Sequence, residues 1–124
     1  MKNITLSKII LLFILTITFG CNKDKSAQPD TIKIYSSIKV NQTYQYYLGY
    51  FGDEEGATIS RQATYFQTSK IERDINSGKI IFYYLPTQDF VGTVEIEIKT
   101  ERGSDGASAS NNISFTIIYL TISN

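Results

Sequence analysis

Between Gly78 and Glu101 the chain reads GKIIFYYLPTQDFVGTVEIEIKTE, and this stretch restricts the possible folds more than any other. A turn glycine leads into the apolar and aromatic run Ile80 to Leu85, which stops at Pro86. After Gly92, Val94, Ile96 and Ile98 alternate with Glu95, Glu97 and Lys99. Alternation at period two over this length predicts a strand with one buried face and one wet face. Proline has no N–H to give a ladder, so Pro86 ends the first strand, and Gly92 frees the backbone to begin the second. The chain is expected to be a sheet protein.

The remainder follows the same pattern. No segment sustains a helical period, and clusters of Gly, Asn, Ser and Asp separate short runs rich in β-formers. Strands are predicted near 31–40, 42–51, 57–67, 69–75, 79–85, 93–101 and 111–122. Gly52-Asp53-Glu54-Glu55-Gly56 reads as a charged hairpin turn, and Asn76-Ser77-Gly78 as a tighter one with glycine available for positive φ. The expected fold class is an all-β, immunoglobulin-like sandwich of about seven antiparallel strands.

The start of the chain reads differently. Lys2 and Lys8 precede an uncharged, mostly apolar run from Ile9 to Phe19. That run is too short for a bilayer core of about 30 Å and has the length of a signal-peptide core. It stops at Thr18-Phe19-Gly20-Cys21, where the chain resembles bacterial lipoprotein precursors. The resemblance implies cleavage before Cys21, acylation of Cys21, and residence on a membrane of a Gram-negative cell envelope, periplasmic or surface-facing. Read without it, Cys21 is a buried or unused thiol. No second cysteine exists to pair with it. The organisation expected is a leader over 1–20, a polar tether over 21–30 (NKDKSAQPD after the cysteine), and one domain over 31–124.

A second resemblance rests on Ser77-Gly78-Lys79-Ile80, Tyr84-Leu85-Pro86 and Asp89-Phe90-Val91-Gly92-Thr93, followed by the alternating strand. These segments look like bacterial immunoglobulin-like and cadherin-like repeats. In such domains the aromatic of the F-x-G element plugs one end of the sandwich, a role that falls to Phe90 here. The acidic DxD and DxNDN calcium motifs of cadherins do not occur in this chain, so calcium-dependent adhesion does not transfer.

Composition narrows the chemistry. There is no histidine and one cysteine, so Ser-His-Asp and Cys-His catalysis and imidazole or thiolate metal sites have no residues to use. No glycine-rich loop leads into a helix to cradle phosphate. Setting aside Lys2 and Lys8 leaves ten basic residues against twelve acidic ones, which gives no footprint for nucleic acid. Glu95 and Glu97 share a strand face, but on an open sheet nothing would raise a pKa, so they read as a solvated face balanced by Lys99. Asp53, Glu54 and Glu55 are consecutive carboxylates that cannot all converge on one cation. No cofactor, no metal and no catalytic residue is expected.

The tyrosines remain. Tyr44, Tyr46, Tyr47, Tyr50 and Phe51 fall in the second strand, and Phe82, Tyr83 and Tyr84 in the fifth. In an immunoglobulin-like sandwich these strands are neighbours. If Ile80, Phe82 and Tyr84 point inward, as the resemblance implies, the same parity buries Tyr44, Tyr46, Leu48 and Tyr50. It leaves Tyr47, Phe51 and Tyr83 outside as a candidate binding patch. The alternative is that tyrosine, a strong β-former, simply covers its own sheet. The expected function is a lipid-anchored, non-enzymatic interaction or adhesion module for a protein or a polysaccharide. A structural envelope protein that self-associates or joins a membrane complex is the alternative.

Overall fold

The computed structural model of the chain describes residues 28–103 and 111–124. The leader, Cys21 and most of the tether lie outside these residues. Within them are β1 (Asp30–Lys39), β2 (Tyr44–Tyr50), β3 (Gly56–Arg61), β4 (Phe66–Arg73), β5 (Lys79–Pro86), β6 (Gly92–Arg102) and β7 (Asn112–Ser123), and no helix. The strands form two sheets, ordered β1-β7-β6-β3 and β2-β5-β4, packed as a sandwich. Setting β2, β5 and β4 against β3, β6 and β7 is the strand division of an immunoglobulin-like fold.

Most strand limits fall within a residue or two of those predicted. The third was expected to reach residue 67 but stops at Arg61. Here the chain leaves one sheet for the other through Gln62 to Tyr65, burying Ala63 and turning Tyr65 to φ 56°. The Gly52–Gly56 segment is likewise a crossover between sheets and not a hairpin, because β2 and β3 belong to different layers. One pairing runs parallel: β1 lies along β7 from Asp30 opposite Ser114 to Lys39 opposite Ser123.

The core sits where the inward residues of the central strands meet. Phe82 and Tyr84 come from β5, Ile96 and Ile98 from β6, and Ile118 and Leu120 from β7, all fully buried. Over Lys79–Pro86 of β5 and from Val94 to Thr100 of β6, half-buried outward residues alternate strictly with buried ones, as period two requires. Pro86 ends β5 and is itself buried opposite Phe66 on β4. Phe90 packs half-buried against the core at that end of the sandwich, with Tyr65 stacked on its other face at 4.6 Å. Gly92 makes this possible, since a Cβ there would come within 2.9 Å of the Phe90 ring.

Tyr84 carries the one phenol buried in the middle of a core strand. Its hydroxyl donates to the Tyr65 carbonyl at 3.0 Å, tying β5 to the β3–β4 crossover. Burial pushes its pKa up to about 12, above the roughly 10 of an unfolded tyrosine. The fold therefore favours the protonated phenol. That contribution is complete below pH 10 or so and is lost as pH rises through about 12. Tyr84→Phe is expected to cost about 1 kcal/mol at neutral pH through the lost hydrogen bond. It should also flatten the fall in thermal midpoint above pH 10, which a melting series read against pH would measure.

Candidate functional site

Two strands carry the residues predicted to bind. β2 pairs antiparallel with β5, with Tyr44 opposite Tyr84, Tyr46 opposite Phe82 and Tyr47 opposite Ile81. The register then slips: Gly49 faces Ile80 and Tyr50 faces Lys79, so Leu48 is an extra residue, a β-bulge. One extra residue in a period-two strand exchanges the two faces beyond it. Tyr47 is outside as expected, at 47% exposure, but Tyr50 is also outside at 60% and Phe51 is inside at 5%. The expectation that Phe51 lies on the outer patch is overturned by this bulge, and Tyr50 takes its place.

The bulge is held from the opposite sheet. Gly49 adopts φ +122°, open to glycine, and its missing Cβ leaves room for Arg102, whose Nη2 would lie 2.9 Å from such an atom. The Arg102 guanidinium covers the Phe51 ring at 4.0 Å and donates to the Leu48 carbonyl at 3.4 Å. Arg73 donates to the carbonyls of Phe51 at 3.1 Å and Gly52 at 3.0 Å, and to that of Glu55. The Glu55 carboxylate accepts the N–H of Gly52 and of Gly103, each at 2.9 Å. The Gly103 and Gly52 N–H groups hold its pKa below the usual carboxylate value. Glu55 is thus a latch between sheets, occupied by backbone donors.

The outer face of the β2-β5-β4 sheet carries Tyr47 and Tyr50 edge to face at 5.7 Å. Ile81 lies opposite Tyr47, and Tyr83 stands two residues further along β5. Tyr83 is half-buried, with Lys70 Nζ 6.0 Å from its ring, and Lys79 Nζ lies 5.8 Å from the Tyr50 ring. Partial burial, then the neighbouring Tyr50, raises the Tyr47 pKa, and at the rim Lys70 is paired with Glu72 at 2.5 Å. Of the residues predicted to bind, Tyr47 and Tyr83 share this face and Phe51 does not.

A second aromatic surface was not foreseen. On the outside of the four-stranded sheet Tyr35 of β1 stacks on Tyr119 of β7, rings 5.0 Å apart and 14° from parallel. Phe115 and Ile117 continue along β7, half-buried. The signal was present: from Ile113 to Ile122 apolar or aromatic residues fall at both parities (Phe115, Ile117 and Tyr119; Ile118, Leu120 and Ile122), which is how a strand with two apolar faces reads. Beyond them Glu95 and Glu97 are answered by Arg61 of β3, which pairs with Glu95 and reaches Glu97 at 3.3 Å. Lys99, expected to balance them, pairs with Glu101 at 2.7 Å. Such exposed pairs contribute little to stability.

No protein-family model matches the chain, and no curated protein matches it. Several solved structures align with it, and two illustrate the likeness. One is PbICP-C, solved in complex with falcipain-2, at a TM-score of 0.48 and 12% identity over 78% of this chain and 92% of that one. The other is the cysteine protease inhibitor EhICP2 from Entamoeba histolytica, at a TM-score of 0.39 and 12% identity over 73% and 93%. A likeness this distant carries nothing about activity.

Proposed function

We propose that this chain is a non-catalytic interaction domain, held at a cell-envelope membrane by a lipid on Cys21, that receives a protein partner on the outer face of the β2-β5-β4 sheet. The observation that carries this reading is the exposed pair Tyr47 and Tyr50 beside Ile81 and Tyr83, rimmed by Lys70 and Lys79. Contiguous apolar surface with a polar rim is the anatomy of a contact site, and tyrosine is favoured there because it offers both a ring and a hydroxyl. A protein is preferred to a polysaccharide because a lysine ammonium stands 6.0 Å from the Tyr83 ring centre and 5.8 Å from that of Tyr50, on the side where a sugar would have to stack. The chain has no histidine for imidazole chemistry, which supports a binding role.

The test is capture from envelope extracts by the full chain in detergent, set against Tyr47→Ser/Tyr50→Ser. The double variant should lose the captured protein while melting at nearly the same temperature. If it melts lower and keeps its partner, these tyrosines only cover their sheet and the reading fails. Capture of glycan by the parent chain would make the partner a polysaccharide.

The anchor has its own check. Mass spectrometry of the membrane fraction should find an acylated peptide beginning at Cys21, and Cys21→Ser should leave the leader attached or the protein unanchored. A free thiol at Cys21 with residues 1–20 still present would refute the anchor and leave the contact face untouched.

A further inference from the structure

The sandwich has four edge strands, β1 and β3 in one sheet and β2 and β4 in the other. An edge displays unpaired N–H and C=O groups that invite another strand, and proteins blunt such edges with bulges or with charged side chains, of which β1 carries Lys33 and Lys39. Three of the four are interrupted: β2 at Leu48, β3 between Ile59 and Arg61, and β4 between Phe66 and Thr68. β1 is not. It holds one register with β7 over ten consecutive pairs.

The phase of its free groups follows from one hydrogen bond. The Val40 N–H donates to the Ser123 carbonyl at 2.9 Å, so even-numbered residues of β1 turn their backbone toward β7. Thr31, Lys33, Tyr35, Ser37 and Lys39 then turn theirs to the open edge. Only Lys39 is satisfied there among the described residues, donating to Gln42 Oε1 at 3.0 Å. Tyr35, 74% exposed, and the half-exposed Ile32 stand on opposite faces of the same edge.

We infer that β1 is a pairing edge for a second copy of this chain, joined antiparallel about a two-fold axis at Tyr35 to make one eight-stranded sheet. Core side must meet core side, so the axis passes through a residue position, and the charges choose which one. Centred on Tyr35, the strand opposes Lys33 to Ser37, Lys39 to Thr31 and Ile32 to Ile38, with no like charges facing. Centred on Ser36, Lys33 would face Lys39; centred on Ile34, Asp30 would sit beside Ile38. At Tyr35 the two copies exchange both backbone hydrogen bonds, since that residue has its groups on the open edge. The existing Tyr35–Tyr119 stack is then continued by the partner's own pair into a row of four rings. A contact made by a single pair of strands is narrow, so the dimer is a weak one that forms with rising concentration.

Sedimentation of the full chain in detergent, run as a concentration series, tests this. The parent should show a monomer–dimer equilibrium. Ser37→Lys sets a lysine against Lys33 twice and should weaken the dimer about tenfold, while Ser37→Glu should tighten it by a similar factor. Ser37 is exposed, so neither change threatens folding. Under oxidation Tyr35→Cys should form a symmetric disulfide that Lys33→Cys and the parent do not. A chain that stays monomeric to about 100 μM, or a dimer indifferent to both Ser37 variants, overturns the proposal.

Discussion

Phe82→Ala is expected to remove about 3–5 kcal/mol of folding stability, the range for truncating a buried aromatic. Phe82 is wholly buried midway along β5, the central strand of its sheet, between Tyr46 on β2 and Ile71 on β4. Its ring therefore meets the opposing sheet with neighbours on both sides, and no flexible end can fold over to fill the space. Domains of this size are stable by about 5–15 kcal/mol in total, so the variant should be close to its unfolding threshold. A urea titration reads the effect as a large fall in midpoint at unchanged slope. The exposed loop residue Ile75, replaced by alanine, should change stability by no more than about 0.5 kcal/mol and serves as the comparison. A loss under about 1 kcal/mol at Phe82 would mean that the core closes over the gap.

Gly49→Ala should have the next largest effect, about 2–3 kcal/mol, from two separable causes. A φ of +122° is strained for any L side chain, and the added Cβ would meet Arg102 Nη2 at 2.9 Å. Arg102 would have to leave the Phe51 ring and the Leu48 carbonyl that it now covers. Adding Arg102→Ala removes the collision and keeps the strain, so the double-mutant cycle divides the loss between them. If Gly49→Ala cost less than about 0.5 kcal/mol, the bulge would not depend on this glycine, and the exposure of Tyr50 would need another cause.

The same residue shows where sequence reasoning stopped. The central strands were readable because each inward position, such as Ile96 or Phe82, is fixed by a core on one side and a sheet face on the other. β2 was readable only as far as Leu48. Its reversal is contacted by Arg102, which lies in the other sheet and 54 residues beyond Leu48, so no local pattern records it. A glycine inside a strand was the available clue, since such a residue often marks a bulge. Read that way, Gly49 would have exchanged Tyr50 for Phe51 on the outer face. The β3–β4 crossover was hidden for a similar reason: Gln62 to Tyr65 contains good β-formers, and only the move between sheets ends the strand there. The Tyr35–Tyr119 stack required knowing that the first strand lies on the last, a pairing that no hairpin spacing signals.

That parallel pairing also governs how the domain meets load. The chain enters β1 at Asp30 beside Ser114, and it leaves β7 at Ser123 beside Lys39, so entry and exit lie at opposite ends of one ladder. Tension between the two termini runs lengthwise through β1 and β7 in opposite senses. The ten pairs are sheared together and cannot be peeled one after another.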